Sequence, residues 1–145
     1  IAFGSSRVMI VDPANCGLLN TLSGHVDQVF DLDWVNDTHL VSGSKDKQLL
    51  SWQIPALLTA DIQIKANQLY KGDRYITALR SNESSIVFCL DGESLGLIST
   101  SGGGVKFTGR GHTAPIQTIR FYAKNKFFSS GNDARMMLWE IPQSQ

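Results

Sequence analysis

Two sets of residues in this chain have the types of a hydrolase triad. His25, Ser42 and Asp46 form one set, and His112, Ser129 and Asp133 form the other. A histidine held between a carboxylate and a hydroxyl can take the hydroxyl proton and turn the oxygen into a nucleophile. Each set is also followed by a tryptophan, Trp52 or Trp139. Subtraction of residue numbers gives the same intervals twice: His to Ser 17, His to Asp 21, His to Trp 27. One enzyme needs one such constellation. Duplication at fixed spacing points instead to a repeated structural unit.

The elements that must position these residues are short strands. Gly24 opens the first unit and Gly111 the second. After His25, Phe30, Leu32 and Trp34 alternate with Asp31 and Asp33, the period of a half-buried strand. Asn36-Asp37 reads as a turn, Leu40-Val41 leads into Ser42-Gly43-Ser44, and Lys45-Asp46-Lys47 is a tight charged turn before Leu49, Leu50 and Trp52. The second unit repeats this with Ile116, Ile119 and Phe121, then Phe127-Phe128, then Met136 to Trp139. The two histidines are 87 positions apart, two periods of about 40–45 residues.

A degenerate unit is therefore expected between them. Gly72-Asp73 opens it with Asp73 in the His place, Asp91-Gly92 is its turn, and Leu97 takes the Trp place. Ser101 to Gly104 links its last two strands. Ahead of the first unit, Ser5 and Val11 share the spacing of Asp46 and Trp52, as the tail of a fourth. There, Arg7 to Val11 and Gly17 to Leu22 read as strands around an Asp12-Pro13 turn. The connection over 55–71 is about six residues longer than its counterparts, with Pro55 placed to begin a helical turn.

With its Gly-His openings, Ser-Gly strands, turn aspartates and tryptophans, the sequence resembles the WD-repeat β-propeller family over almost its whole length. It departs from the family where Gln53 and Glu140 replace the Asp after Trp. The resemblance implies an all-β partial propeller of about three four-stranded antiparallel blades plus a remnant of a fourth. Residues 1–24 would end one blade. Residues 25–71 would form a blade with the full signature and an extended connection, 72–110 a degenerate blade, and 111–145 another full-signature blade, incomplete. It further implies that His25 bridges Asp46 and Ser42 while Trp52 donates to Ser42, and that His112, Asp133, Ser129 and Trp139 do the same.

A blade buries its faces only against neighbours. The chain has 145 residues and begins at Ile1, so it is expected to be part of a longer propeller. The remaining blades would come from the same or another chain, and the isolated piece would associate through its raw faces. Formal net charge is zero, which argues against nucleic acid as a partner. No apolar run reaches 18 residues, so no membrane helix is expected. Cys16 and Cys89 lack metal-ligand spacing and read as reduced, buried thiols of a cytoplasmic or nuclear protein.

Other chemistry is weaker. Asp31 and Asp33 could serve as an acid–base pair. However, Arg80 and Arg120 stand at the Asp33 position of the later units, so a channel-lining or inter-blade charge pair fits better. Gly102 to Lys106 lacks the Gly-Lys-Ser/Thr ending of a phosphate loop. His39 reads as a solvated strand-edge residue. No cofactor and no metal is expected.

Binding remains. In the family layout the Gly-His loops and Asp turns share one face, which would display Val26, Asp27, Gln28, Lys45, Lys47, Arg74, Tyr75, Thr113, Pro115, Asn132, Ala134 and Arg135. Tyr75 and Arg135 stand out because Tyr and Arg are enriched among energetic anchors. The expected function is a non-catalytic protein–protein interaction scaffold in a multiprotein complex. Two alternatives are a substrate receptor of a cullin-type ubiquitin ligase and a propeller hydrolase. Against the receptor, Pro55 and Pro142 stand where the adaptor-binding arginine of such receptors would follow.

Overall fold

The computed structural model describes residues 5–142, with the side chains of 106–108 outside the description. Among the described residues the secondary structure is all β. The strands are β1 (Arg7–Val11), β2 (Leu18–Ser23), β3 (Val29–Trp34), β4 (His39–Ser44), β5 (Gln48–Gln53), β6 (Ala66–Lys71) and β7 (Ile76–Ser81). They continue as β8 (Ser85–Leu90), β9 (Ser94–Ser99), β10 (Val105–Gly109), β11 (Ile116–Ala123), β12 (Lys126–Gly131) and β13 (Met136–Glu140). Four antiparallel sheets result, ordered β1-β2, β3-β4-β5-β6, β7-β8-β9-β10 and β11-β12-β13. This is a partial propeller: two four-stranded blades between a two-stranded and a three-stranded one.

Three apolar layers lie between successive sheets. Val8 and Leu22 of the first sheet pack with Leu40, Leu50 and Trp52 of the second. Val41 and Leu49, on the second sheet's other face, pack with Ile76, Leu79, Ile86, Phe88 and Ile98. Val87, Leu95 and Leu97 then meet Ile116, Ile119 and Phe127. The strands alternate between two buried faces, so their interiors read as nearly continuous apolar runs. Gly43 permits the close approach of the middle layer, since a Cβ there would collide with Ile76 and meet Leu79 at 3.1 Å.

Inner strands β3 and β7 are stitched together by carboxylates. Asp31 Oδ2 accepts from Leu79 N at 3.0 Å and Arg80 Nη1 at 2.9 Å, while Asp33 Oδ2 accepts from Ser81 N at 2.9 Å. Each side chain replaces a strand-pairing bond that two separate sheets cannot make.

Three expectations need correction. Residues 55–58 contain no helical turn. Instead, Leu58 and Ile64 of this longer connection pack on the first inter-sheet layer, and Asn20 Nδ2 donates to Thr59 O and Ile62 O at 2.8 and 2.9 Å. Cys16 is exposed on a turn at φ 57°, whereas Cys89 is buried and its thiol pKa is pushed up to about 12, chiefly by burial.

The third correction concerns the register of the middle blade. Ser42 pairs with Leu50 and Trp52 with Leu40; Ser129 pairs with Met137 and Trp139 with Phe127. The matching pairs of the middle blade are Phe88 with Gly96 and Ile98 with Ile86. Ile98, not Leu97, therefore holds the Trp place, and Phe88 holds the Ser place. Lys45 N, Asp91 N and Asn132 N make the same bond to the preceding loop, to the carbonyls of Gln28, Tyr75 and Pro115. Gly92 thus holds the turn-Asp place. Counting back four residues from Val29, Ile76 and Ile116 puts Gly72, not Asp73, in the His place. The interval of six from turn to third strand is preserved, but those two places lie one residue further on and the His place one residue back. An Asp-Gly turn offers two residues to anchor an alignment, and spacing alone does not choose between them.

Candidate functional site

Both repeated constellations assemble. His25 sits in the loop after Gly24, where a Cβ would come within 2.8 Å of the Trp52 ring, so only glycine lets this loop close over the indole. His25 Nδ1 lies 2.8 Å from Asp46 Oδ2, and Nε2 lies 2.7 Å from Ser42 Oγ. Trp52 Nε1 donates to Ser42 Oγ at 2.9 Å. The indole hydrogen occupies one lone pair of the serine, so the serine hydroxyl donates to Nε2 and Nδ1–H donates to the carboxylate. Asp46 also accepts from Val26 N at 3.0 Å and Gln48 N at 3.1 Å. The second set repeats this: His112 Nδ1 to Asp133 at 3.0 Å, Nε2 to Ser129 at 2.7 Å, and Trp139 Nε1 to Ser129 at 2.9 Å.

Electrostatics follow from this wiring. Burial lowers the His25 pKa and outweighs the opposing hydrogen bond and charge of Asp46, so the imidazole is neutral at pH 7. Burial opposes ionisation of Asp133. Bonds from Thr113 N, His112 and Arg135 N nevertheless carry its pKa below the usual carboxylate value.

The connectivity Asp–His–Ser is that of an acyl-transfer triad, but its surroundings differ. Ser42 and Ser129 are both 0% exposed, and each already accepts an indole hydrogen. No substrate carbonyl can reach either oxygen. Among the described residues, no group of three or more His, Cys, Asp or Glu could hold a metal ion. No helix of those residues is long and apolar enough to cross a membrane.

The rim of these networks carries the loop residues singled out above. Val26 is 82% exposed, and Asp27, Thr113, Pro115, Asn132, Ala134 and Arg135 are exposed beside it. Gln28 is half-buried, its carbonyl accepting from Lys45 N and Ser44 Oγ. Arg74 is half-buried with Nη1 3.4 Å from Ser94 Oγ. Tyr75 is 41% exposed, and its amide donates to Asp91 Oδ1 at 3.0 Å; Val26 and Thr113, two places earlier in their loops, donate to Asp46 and Asp133. The ammonium groups of Lys45 and Lys47 lie 5.9 and 5.8 Å from the centre of the Tyr75 ring. Sequence reasoning named all three residues without bringing them together. They lie on two blades, and only sheet stacking makes them neighbours.

Comparison with known proteins agrees with this geometry. The model of the WD domain, G-beta repeat, matches residues 16–53 and 103–140, more than half of the chain. The chain belongs to the WD-repeat family. The two matched repeats are those carrying the complete His–Ser–Asp–Trp networks. One curated relative is the ribosome biogenesis protein WDR12 homolog of Culex quinquefasciatus, 28% identical over 127 residues. The match covers 84% of this chain but 29% of that protein, so the chain spans under a third of its relative's length. Among solved structures, the computationally designed Ika4 protein superposes with a TM-score of 0.77 at 21% identity, over 97% of this chain and 83% of that one. The WD40 β-propeller domain of Doa1 gives 0.73 at 17% identity, over 93% and 44%. These structures support the WD-repeat fold alone.

Proposed function

We propose that this chain is a non-catalytic interaction scaffold within a larger propeller, presenting its loop face to a protein partner in a multiprotein complex. One observation carries the reading: both triad-like networks are sealed at the serine, while the loops they tie down remain open to solvent. His25, Ser42, Asp46 and Trp52, with His112, Ser129, Asp133 and Trp139, hold sheets and loops in place. Asp27, Gln28, Lys45, Lys47, Arg74, Tyr75, Thr113, Asn132 and Arg135 are the candidate contact residues. WD-repeat membership supports a binding role, and the insect relative, named for ribosome biogenesis, favours a nuclear complex.

The units 25–71, 72–110 and 111–145 act in this reading as successive blades, and further blades of the same or another chain cover the open faces. Tyr122, Phe128 and Met136 occupy the places that Val35, Val41 and Leu49 fill in the packed second sheet. Tyr122 and Met136 are 54% and 68% exposed. No structural observation favours the ubiquitin-ligase receptor over a scaffold of another kind.

The test is a pull-down from cells with the full-length protein, wild type against Tyr75→Ala/Arg135→Glu, quantified by mass spectrometry. Loss of a defined partner set from a variant with unchanged circular dichroism is expected. An unchanged partner set would overturn the use of this face.

A further inference from the structure

We infer that Lys45, Lys47 and Tyr75 form a recognition site for an anionic peptide segment, one whose carboxylate or phosphate oxygens are met by the ammonium groups around the Tyr75 ring. The inference deepens the scaffold reading and rests on it. Lys47 has a left-handed backbone, φ 71°, fixed by Lys47 N donating to Ser44 O and Gly72 N donating to Lys47 O. That conformation is unfavourable for a non-glycine residue. Ala134 takes the same place in the last blade, also at positive φ. The fold thus accepts a small neutral residue there, and the lysine is not required for the turn.

Both ammonium groups lie within 6 Å of the centre of one ring, so two like charges flank one exposed side chain. The ring face attracts each cation without neutralising its charge. Among the described residues the ion pairs are His25–Asp46, Arg80–Asp31 and His112–Asp133, and neither lysine takes part in one. An anionic group docked beside the ring can accept charge-assisted hydrogen bonds from these ammonium groups. The exposed Tyr75 adds an apolar wall with a hydroxyl for the rest of the segment. The other blades lack the pair: Asp91 and Glu93, then Asn132 and Ala134, stand at the two lysine positions. One anionic group at the boundary of two blades is therefore the specific expectation, not a broadly basic face.

The experiment titrates the full-length protein into two fluorescein-labelled peptides, one Glu-rich and one carrying phosphoserine, and reads anisotropy. At least one should bind, with affinity falling as salt rises. K45E/K47E should weaken it by about tenfold or more, while K124E, at the far end of the β11–β12 hairpin, leaves it unchanged. The tighter peptide identifies whether the oxygens come from a carboxylate or a phosphate. If K45E/K47E fails to fold, K45Q/K47Q takes its place. No binding to either peptide, equal binding by wild type and variant, or displacement by poly-uridylate at lower concentration than by unlabelled peptide would each overturn the site. A partner set still lost on Tyr75→Ala/Arg135→Glu would then show that the scaffold reading survives without it.

Discussion

The blade β3–β6 and the blade β7–β10 have the same strand order and the same register, yet hold together by different means. The first places His25, Ser42, Asp46 and Trp52 in one hydrogen-bonded chain. The second has Gly72, Phe88, Gly92 and Ile98 at those places. Phe88 is 0% exposed, lies 5.2 Å from the Tyr70 ring of the preceding blade, and fills the space left because residue 96 is glycine, where a Cβ would meet the ring at 2.6 Å. Replacement of a whole buried polar network by close-packed apolar groups is tolerated, whereas a half-satisfied network is not. The comparison teaches that the network is one of two solutions to the same packing problem. A bond of the same kind occurs in both blades at shifted positions, a loop amide to a turn carboxylate: Val26 to Asp46 in the first, and in the second Tyr75, at the Gln28 place, to Asp91, at the Lys45 place.

This comparison can be broken most sharply at Phe88. Phe88→Ser restores the repeat's serine without its histidine or tryptophan, leaving a cavity and an unpaired hydroxyl. A loss of about 3–5 kcal/mol is expected in the urea midpoint of the full-length protein. Asp46→Ala should cost about 1–3 kcal/mol, because His25 Nδ1–H and Val26 N–H lose their acceptor in a nearly dry site. Asp91→Ala removes one exposed bond and should cost about 1 kcal/mol or less. Equal effects of the two aspartates would contradict the division of labour between the blades.

Acid should act on the polar blade first. The folded pKa of His25 is lowered, so the unfolded chain binds the extra proton more readily. Stability is then complete above the unfolded value of 6.5 and declines as pH falls from there through the folded value. Equilibrium unfolding at a series of pH values should show this slope in wild type and a flatter one in His25→Gln. The contribution of Asp133 is kept until pH falls below its unfolded value of 3.8 and is lost below that. A comparably small effect is expected at the carboxylate stitch: Asp31→Asn should cost about 0.5–1 kcal/mol. Its ion pair with Arg80 is partly exposed, and the amide oxygen can still accept from Leu79 N.

Much of the fold was legible because the repeat writes its spacing into the chain. Intervals of 17, 21 and 27 place each His in a loop, each Ser on a strand, each Asp in the turn after it and each Trp on the next strand, and the structure brings each set of four together. The middle blade was legible as strands but not in register. Its apolar residues are interchangeable to a spacing argument, and only the pairing of Phe88 with Gly96 and Ile98 with Ile86 settles which ones stand in for the network. Asn20, pinned by two carbonyls of the long connection 55–65, gave no signal in the sequence at all.

By itself the amino-acid sequence determined the strand periodicity, the duplicated polar set and the family, because those depend on residue types at fixed separations along one chain. Tertiary structure alone decided that both serines are sealed from solvent, that Cys16 is exposed while Cys89 is not, and that Lys45 and Lys47 converge on Tyr75. Those facts depend on how neighbouring sheets stack. Stacking brings together residues whose separation along the chain carries no imprint of their contact.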